Sequence, residues 1–314
     1  MENRLISFVI PCYRSERTIH GVVEEIMEIM AGKEIIEVIL VNDYSPDDTY
    51  SVIGKLVQEY VNVKGVSLAR NFGQGSAIMA GLSVAKGDVI VCLDDDGQSP
   101  VDALPKIIEK IDEGYDIVYA DYHEKKESAF RLFGSKINEL MMKTLLSKPH
   151  DIVVNSFFSC TRLVVNEVLK YKGAYPYLPG LMLRTTRNIA NVKVQHRERE
   201  YGKSNYTFRK LLALWLNGFT SFSVKPLRIA TLVGFLFAVV GFIFLAFILF
   251  RKLIDSGVQI GWTSIISLMM LFDGLILIVL GLIGEYVGRI YLSINSTPQY
   301  IIRSVIEHDN EKIL

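Results

Sequence analysis

From Ile229 to Phe250 the chain carries no charged residue, and from Ser264 to about Val287 it carries only Asp273 before Glu285. Each run is close to the roughly 20 apolar residues that a helix needs to cross a hydrocarbon core. Read as membrane spans, the two runs form a hairpin joined by the short polar stretch Arg251 to Thr263, and the chain returns to the side it left. Lys225, Arg228, Arg289 and Arg303 flank the outer ends, whereas Arg251 and Lys252 lie in the joining loop. That distribution favours a cytosolic location for the rest of the chain. Asp273 is costly against lipid and is expected to pack against the first span. Residues 226–290 are thus expected to be a two-helix transmembrane domain. The competing possibility is a pair of long helices buried in a soluble core.

Composition agrees with a membrane segment attached to a soluble domain. Half of the 314 residues are apolar and the mean hydropathy is +0.29. The net charge is +0, which removes any bulk electrostatic case for a nucleic-acid partner. Cys12, Cys92 and Cys160 are odd in number and widely spaced, as expected of buried thiols in a reducing compartment. The N-terminus enters a strand-like run at once, and no cleaved export signal is expected.

Before the apolar runs, short β-branched segments alternate with amphipathic ones. Strands are expected at Ile6–Ile10, Glu37–Val41, Val63–Leu68, Asp88–Leu93 and Tyr115–Tyr119. Helices are expected at Thr18–Met30, Asp48–Tyr60, Gly75–Ala85 and Val101–Glu113. The strands are nearly continuous apolar runs, the pattern of a parallel sheet covered on both faces. The alternation implies an α/β, doubly wound domain, in which ligands bind beyond the carboxyl ends of the strands. Two further amphipathic segments, about 128–147 and 205–222, carry apolar residues at helical spacing beside Arg131, Lys136, Arg209 and Lys210. They read either as core helices or as helices lying in the lipid interface.

Polar residues collect where the sheet argument puts a ligand. Asp94-Asp95-Asp96-Gly97-Gln98 follows the fourth strand directly. Asp94, Asp96 and Gln98 alternate and can converge on one point. Three oxygen-bearing side chains suit a hard cation such as Mg²⁺ or Mn²⁺. The alternative is an acidic turn that caps the helix following Pro100. After the second strand, Asp43 can accept hydrogen bonds from a base or ribose, while Ser45, Asp47 and Asp48 read as turn and helix cap. Tyr13, after the first strand, can flank a base.

Together with these sites, Ile10-Pro-Cys-Tyr13, Val41-Asn-Asp43, Leu68-Ala-Arg-Asn-Phe-Gly73 and Arg199-Glu-Tyr-Gly-Lys-Ser-Asn-Tyr206 resemble the family-2 glycosyltransferases of GT-A (Rossmann-like) fold. With Gly281 to Tyr291 and Pro298-Gln-Tyr300 added, the chain resembles their polyprenyl-phosphate branch. That branch includes bactoprenol glucosyltransferases, undecaprenyl-phosphate aminoarabinose transferases and dolichol-phosphate mannose synthases. The resemblance spans essentially the whole chain. It implies a cytosolic GT-A domain over 1–225, with interfacial helices at about 128–147 and 205–222, the transmembrane domain 226–290 and a cytosolic tail 291–314. The implied location is the bacterial cytoplasmic membrane, as a multi-pass protein.

The resemblance also implies an inverting, metal-dependent transfer of a hexose from a nucleotide-sugar, with UDP preferred, to a polyprenyl (undecaprenyl) phosphate. It places Pro11, Tyr13, Val41, Asp43, Asp94 and Asp95 at the nucleotide-sugar. It assigns Asp94, Asp96 and Gln98 to Mg²⁺ or Mn²⁺, Arg131, Arg199 and Lys203 to the acceptor phosphate, and Asp94, Asp96 and Arg199 to catalysis. The chain departs from the family pattern at Arg14-Ser15, Gly97, Tyr122, Ser156 and Asn205. A processive polysaccharide synthase and a catalytically silent membrane adaptor are the competing functions. Self-association is left open.

Overall fold

The computed structural model describes residues 4–123, 149, 151–195, 262–294, 298–308 and 310–313, with scattered positions between 227 and 250. The chain divides into two compact units, Met1–Asn217 with Ser296–Leu314, and Gly218–Asn295.

The first unit is built on the expected alternation. Strands β1 (Leu5–Cys12), β2 (Ile35–Asn42), β3 (Val63–Leu68) and β4 (Val89–Cys92) alternate with helices α1 (Ile19–Met30), α2 (Thr49–Glu59) and α3 (Gln74–Val84). β1 pairs in parallel with β2 and with β4, and β2 in parallel with β3. Ile6, Phe8 and Ile10 are fully buried on β1, as are Val38 and Leu40 on β2. Each such side chain contributes about 1.5–3 kcal/mol relative to exposure. α1 turns Ile19, Val22, Val23, Ile26 and Met30 inward, the stripe its spacing predicts. A 3-10 turn at Val101–Ala103 leads into α4 (Leu104–Asp112), which buries Leu104, Ile107, Ile108 and Ile111.

The sheet is larger than the five strands expected. β5 (Ile117–His123) is followed by β6 (Phe158–Thr161), α5 (Arg162–Val168), α6 (Leu178–Thr185) and β7 (Ile189–Gln195). The strand order is β7-β5-β6-β4-β1-β2-β3-β8-β9. β6 lies antiparallel between β4 and β5, so the sheet is mixed where the apolar runs predicted a parallel one. β8 (Ile302–Glu307) and β9 (Asn310–Ile313) extend the far edge, with β8 antiparallel to β3. Residues 291–314 were expected only as a tail, yet they supply both of these strands. The β1/β4 junction is where the chain's winding reverses, and it opens the crevice of a doubly wound sheet.

A buried polar cluster fastens the opposite ends of the strands. Glu37 accepts hydrogen bonds from the Ser7 hydroxyl at 2.6 Å and the Lys86 amide at 2.6 Å, and pairs with Lys64 at 3.0 Å. Burial pushes the Glu37 pKa up, but Ser7, Lys86 and Lys64 together hold it below the ordinary 4.5.

In the second unit, α7 (Trp262–Ile294) runs for 33 residues. The first apolar segment is helical at its described positions, among them 232–236. Taken over the described residues, no helix is long and apolar enough to cross a membrane. Asp273, expected against the first span, is exposed. So are Ile276, Leu277 and Ile278. The segments expected as interfacial helices, 128–147 and 205–222, lie outside the described residues.

Glu37→Gln is expected to destabilise the purified chain by about 1–3 kcal/mol at neutral pH, the cost of disturbing a buried, charge-assisted cluster. The folded pKa of Glu37 is lowered, so its contribution is complete above the ordinary value and is lost as pH falls through the lowered one. Denaturant titrations should therefore show the gap between wild type and variant closing on acidification.

Candidate active site

Four loops leave the carboxyl ends of β1 to β4, and hydrogen bonds join them into one floor. At the end of β1 the Tyr13 amide donates to Asp95 Oδ2 at 2.9 Å, which ties the β1 loop to the acidic loop after β4. The Arg14 amide donates to Ser45 Oγ at 2.8 Å, and the Ser15 amide to Thr49 Oγ1 at 3.0 Å. These bonds bind the β1 loop to the β2 loop. Arg14 (φ 60°) and Tyr44 (φ 53°) each lie two residues past their strand and adopt the left-handed region that non-glycine residues rarely occupy. The two strands thus end in matching sharp turns. The turn after β2 is capped by Asp47, whose Oδ1 accepts from the Thr49 amide at 3.3 Å and its hydroxyl at 2.7 Å. Asp48, also expected as a cap, makes no side-chain capping bond.

Asp43 is buried and accepts the Phe72 amide at 2.7 Å on Oδ1 and the Gly73 amide at 2.8 Å on Oδ2. Asn71 donates to the Asp43 carbonyl at 3.2 Å. Burial raises the Asp43 pKa, and the two amides oppose that rise. Its carboxylate therefore holds the loop after β3, a role that the sequence reading as a base or ribose acceptor did not contain. Ionised carboxylates offer about four acceptor positions, so two remain for a ligand. Pro11 and Val41 are buried register partners near the carboxyl ends of β1 and β2. Tyr13 is exposed, with the Arg14 guanidinium 5.6 Å from its ring centre.

In the acidic loop the three carboxylates do different things. Asp95 turns inward to Tyr13, and burial pushes its pKa up to about 6 against the lowering effect of that amide, with the charges of Asp94 and Asp96 adding to the rise. Asp94 accepts from Gln74 Nε2 at 2.7 Å on Oδ1 and from the Ser156 hydroxyl on Oδ2. Asp96 Oδ1 accepts the Gln98 amide at 3.1 Å. Gly97 has φ +73°, a conformation that costs glycine little and a residue with a Cβ considerably more. Its presence in place of a larger residue is thereby explained. Burial pushes the Tyr122 pKa up to about 12; a hydrogen bond with Ser99 opposes the rise and the charges of Asp94 and Asp96 add to it.

Gln74, Ser156 and Tyr122 are site residues that the sequence reading did not select. In sequence, Tyr122 and Ser156 stand out only as departures from the family pattern. Arg131, Arg199 and Lys203 lie outside the described residues.

The donor set fits a hard divalent cation. Asp94 and Asp96 lie in one loop, and they and the Gln98 side chain can offer oxygen donors. Among the described residues no group of three or more His, Cys, Asp or Glu side chains is arranged to hold a metal. Two carboxylates are what Mg²⁺ uses when a substrate's phosphates complete its shell.

The chain matches the family described as Glycosyl transferase family 2 over residues 7–170 and the GtrB C-terminal hairpin over 225–290. A Bacillus subtilis (strain 168) protein named uncharacterized glycosyltransferase YkcC is 34% identical over 312 residues, covering 98% of this chain and 96% of that protein. The undecaprenyl-phosphate 4-deoxy-4-formamido-L-arabinose transferase of Proteus mirabilis (strain HI4320) is 31% identical, with 96% and 94% covered. Among solved structures, glucosyl-3-phosphoglycerate synthase from Mycobacterium tuberculosis, in complex with Mn²⁺, UDP and glucosyl-3-phosphoglycerate, superposes with a TM-score of 0.54. It is 20% identical, covers 74% of this chain and is itself 79% covered, a likeness of fold.

Asp43→Ala is expected to speed hydrogen exchange at the Phe72 and Gly73 amides by tenfold or more, as about 1–3 kcal/mol of charge-assisted bonding is lost. Exchange along β1 and β2 should not change, and mass spectrometry of peptides covering residues 69–77 checks this.

Proposed function

The chain belongs to glycosyl transferase family 2, and from that premise we propose that it transfers a hexose from a UDP-sugar to undecaprenyl phosphate at the cytosolic face of a bacterial cytoplasmic membrane, with inversion. The observation that carries the reading is the joint match of a family-2 domain and a GtrB C-terminal hairpin in one chain whose acidic loop sits at the β1/β4 crevice. The Proteus mirabilis relative, named for transfer to undecaprenyl phosphate, supports the acceptor class. In this reading residues 1–225 are the catalytic domain, 226–290 a transmembrane hairpin and 291–314 a cytosolic segment. Most of α7 falls within the stretch matched by the hairpin, residues 225–290, and that match rather than the helix itself supports the membrane reading.

The chemistry asks little of the protein in proton transfer. A phosphate monoester has its second pKa near 6 and is mostly dianionic at neutral pH, so it attacks without a general base. His20 pairs with Glu24 and Glu59, and His308 meets the Val57 carbonyl. Asp94 and Asp96, with Gln98, would hold a divalent ion, which when bound neutralises charge developing on the leaving diphosphate. Tyr13 and Asp43 flank the nucleoside end. Arg131, Arg199 and Lys203 attract the acceptor phosphate by charge pairing. Rate then comes from positioning and electrostatics.

Membranes containing the chain, given undecaprenyl phosphate and a panel of radiolabelled nucleotide-sugars, should yield an extractable lipid carrying a single sugar; label in a polymer, or none in lipid, would refute the reading. EDTA should abolish the product and Mn²⁺ or Mg²⁺ restore it. Asp96→Ala should lower turnover by a factor of 10² or more, the scale of losing an electrostatic contact in the transition state, with folding retained. Near-normal turnover of the purified variant would remove Asp96 from the metal site.

A further inference from the structure

The segment that follows α7 re-enters the catalytic unit beside the crevice and touches two loops there. Gln299 is buried, and its Nε2 donates to the Tyr171 carbonyl at 2.5 Å. Two residues later the Ile301 carbonyl accepts the Ala69 amide at 2.9 Å, at the start of the loop after β3. The stretch 171–177, between α5 and α6, is closed on itself by the Tyr171 hydroxyl donating to the Tyr175 carbonyl at 3.2 Å. Its Pro176 carbonyl lies against Gly75, where an added Cβ would sit 2.8 Å from that oxygen. Gly75 follows Gln74, the residue whose amide holds Asp94 Oδ1. One continuous set of contacts therefore runs from Gln299 through 171–177 to the first turn of α3 and on to the acidic loop.

We infer that Gln299 is a positioning residue for the donor end of the site: by fixing the 171–177 loop against Gly75 it sets where Gln74 holds Asp94. None of the contacts needs the substrate, and the Gln299 side chain bonds the Tyr171 carbonyl rather than the acidic loop itself. Its effect must pass through backbone. The Pro176 carbonyl lies so near Gly75 that a side chain there would have to displace it. The functional part of this inference rests on the glycosyl-transfer reading; the mechanical part does not.

The test uses full-length chain in detergent or membranes. Gln299→Ala should speed hydrogen exchange in peptides covering 171–177 and 69–77 while β1 and β2 keep their protection. It should also raise the KM for the nucleotide-sugar about three- to tenfold, the loss carried by one hydrogen bond, with the KM for undecaprenyl phosphate unchanged. Gly75→Ala pushes the same contact from the other side and should give the same donor defect even if Gln299→Ala folds poorly. Adding Gln299→Ala to Gln74→Ala should bring little further loss, because the two act in series. Unchanged exchange in both peptides, or a lower kcat with both KM values unchanged, would overturn the inference by reducing Gln299 to a stabilising contact. If wild type consumes no nucleotide-sugar, the functional reading fails, yet the exchange data still decide whether the coupling exists.

Discussion

The bond from the Tyr13 amide to the Asp95 carboxylate joins the ends of β1 and β4, the two strands between which the sheet reverses its winding. β4 ends at Cys92, so Asp94 to Asp96 lie in a turn where each carboxylate is directed by its own hydrogen bonds. Three adjacent carboxylates repel one another unless they are separated or paired. Here one is desolvated against a backbone amide, one is held by Gln74 and Ser156, and one caps its own turn through the Gln98 amide. The acidic loop is thereby shaped before any ligand arrives, and that preorganisation is what electrostatic catalysis requires.

A second carboxylate organises the neighbouring loop. Asp43 accepts two consecutive amides from the segment after β3, and that segment delivers Gln74 to Asp94. The crevice is therefore a chain of fixed loops rather than four independent ones. Its foundation is the buried apolar pairing of β1, β2 and β4, secured at the other end of the sheet by the Glu37 cluster. Belonging to glycosyl transferase family 2 fits this division of labour: a rigid sheet, and chemistry carried on the loops at its carboxyl edge.

Much of this was legible in the sequence, and the reasons are physical. β1 to β4 and α1 to α4 follow from local patterns, because each element buries a periodic face of its own. The Asp94 to Gln98 run announced itself by composition. β6, only Phe158–Thr161, is too short for alternation to register, and β8 and β9 depend on an edge that other segments supply. Gln74 and Ser156 are single polar residues whose meaning comes from contact with Asp94 across 20 and 62 residues of sequence. Asp43 was placed at the crevice, but its partners Phe72 and Gly73 act through backbone amides, which leave no trace in residue type. The inward turn of Asp95 is likewise a property of the loop, invisible among three identical side chains.

The loop after β4 is proposed to hold a divalent ion against a nucleotide diphosphate. Anomalous diffraction from crystals of the full chain grown with Mn²⁺ and UDP measures this directly. The account predicts a single manganese peak within coordination distance of Asp94 or Asp96, roughly 2.0–2.6 Å, with Asp95 still bound to the Tyr13 amide. A nucleotide seated in the crevice with no manganese near either carboxylate, or manganese bound elsewhere in the chain, would contradict it.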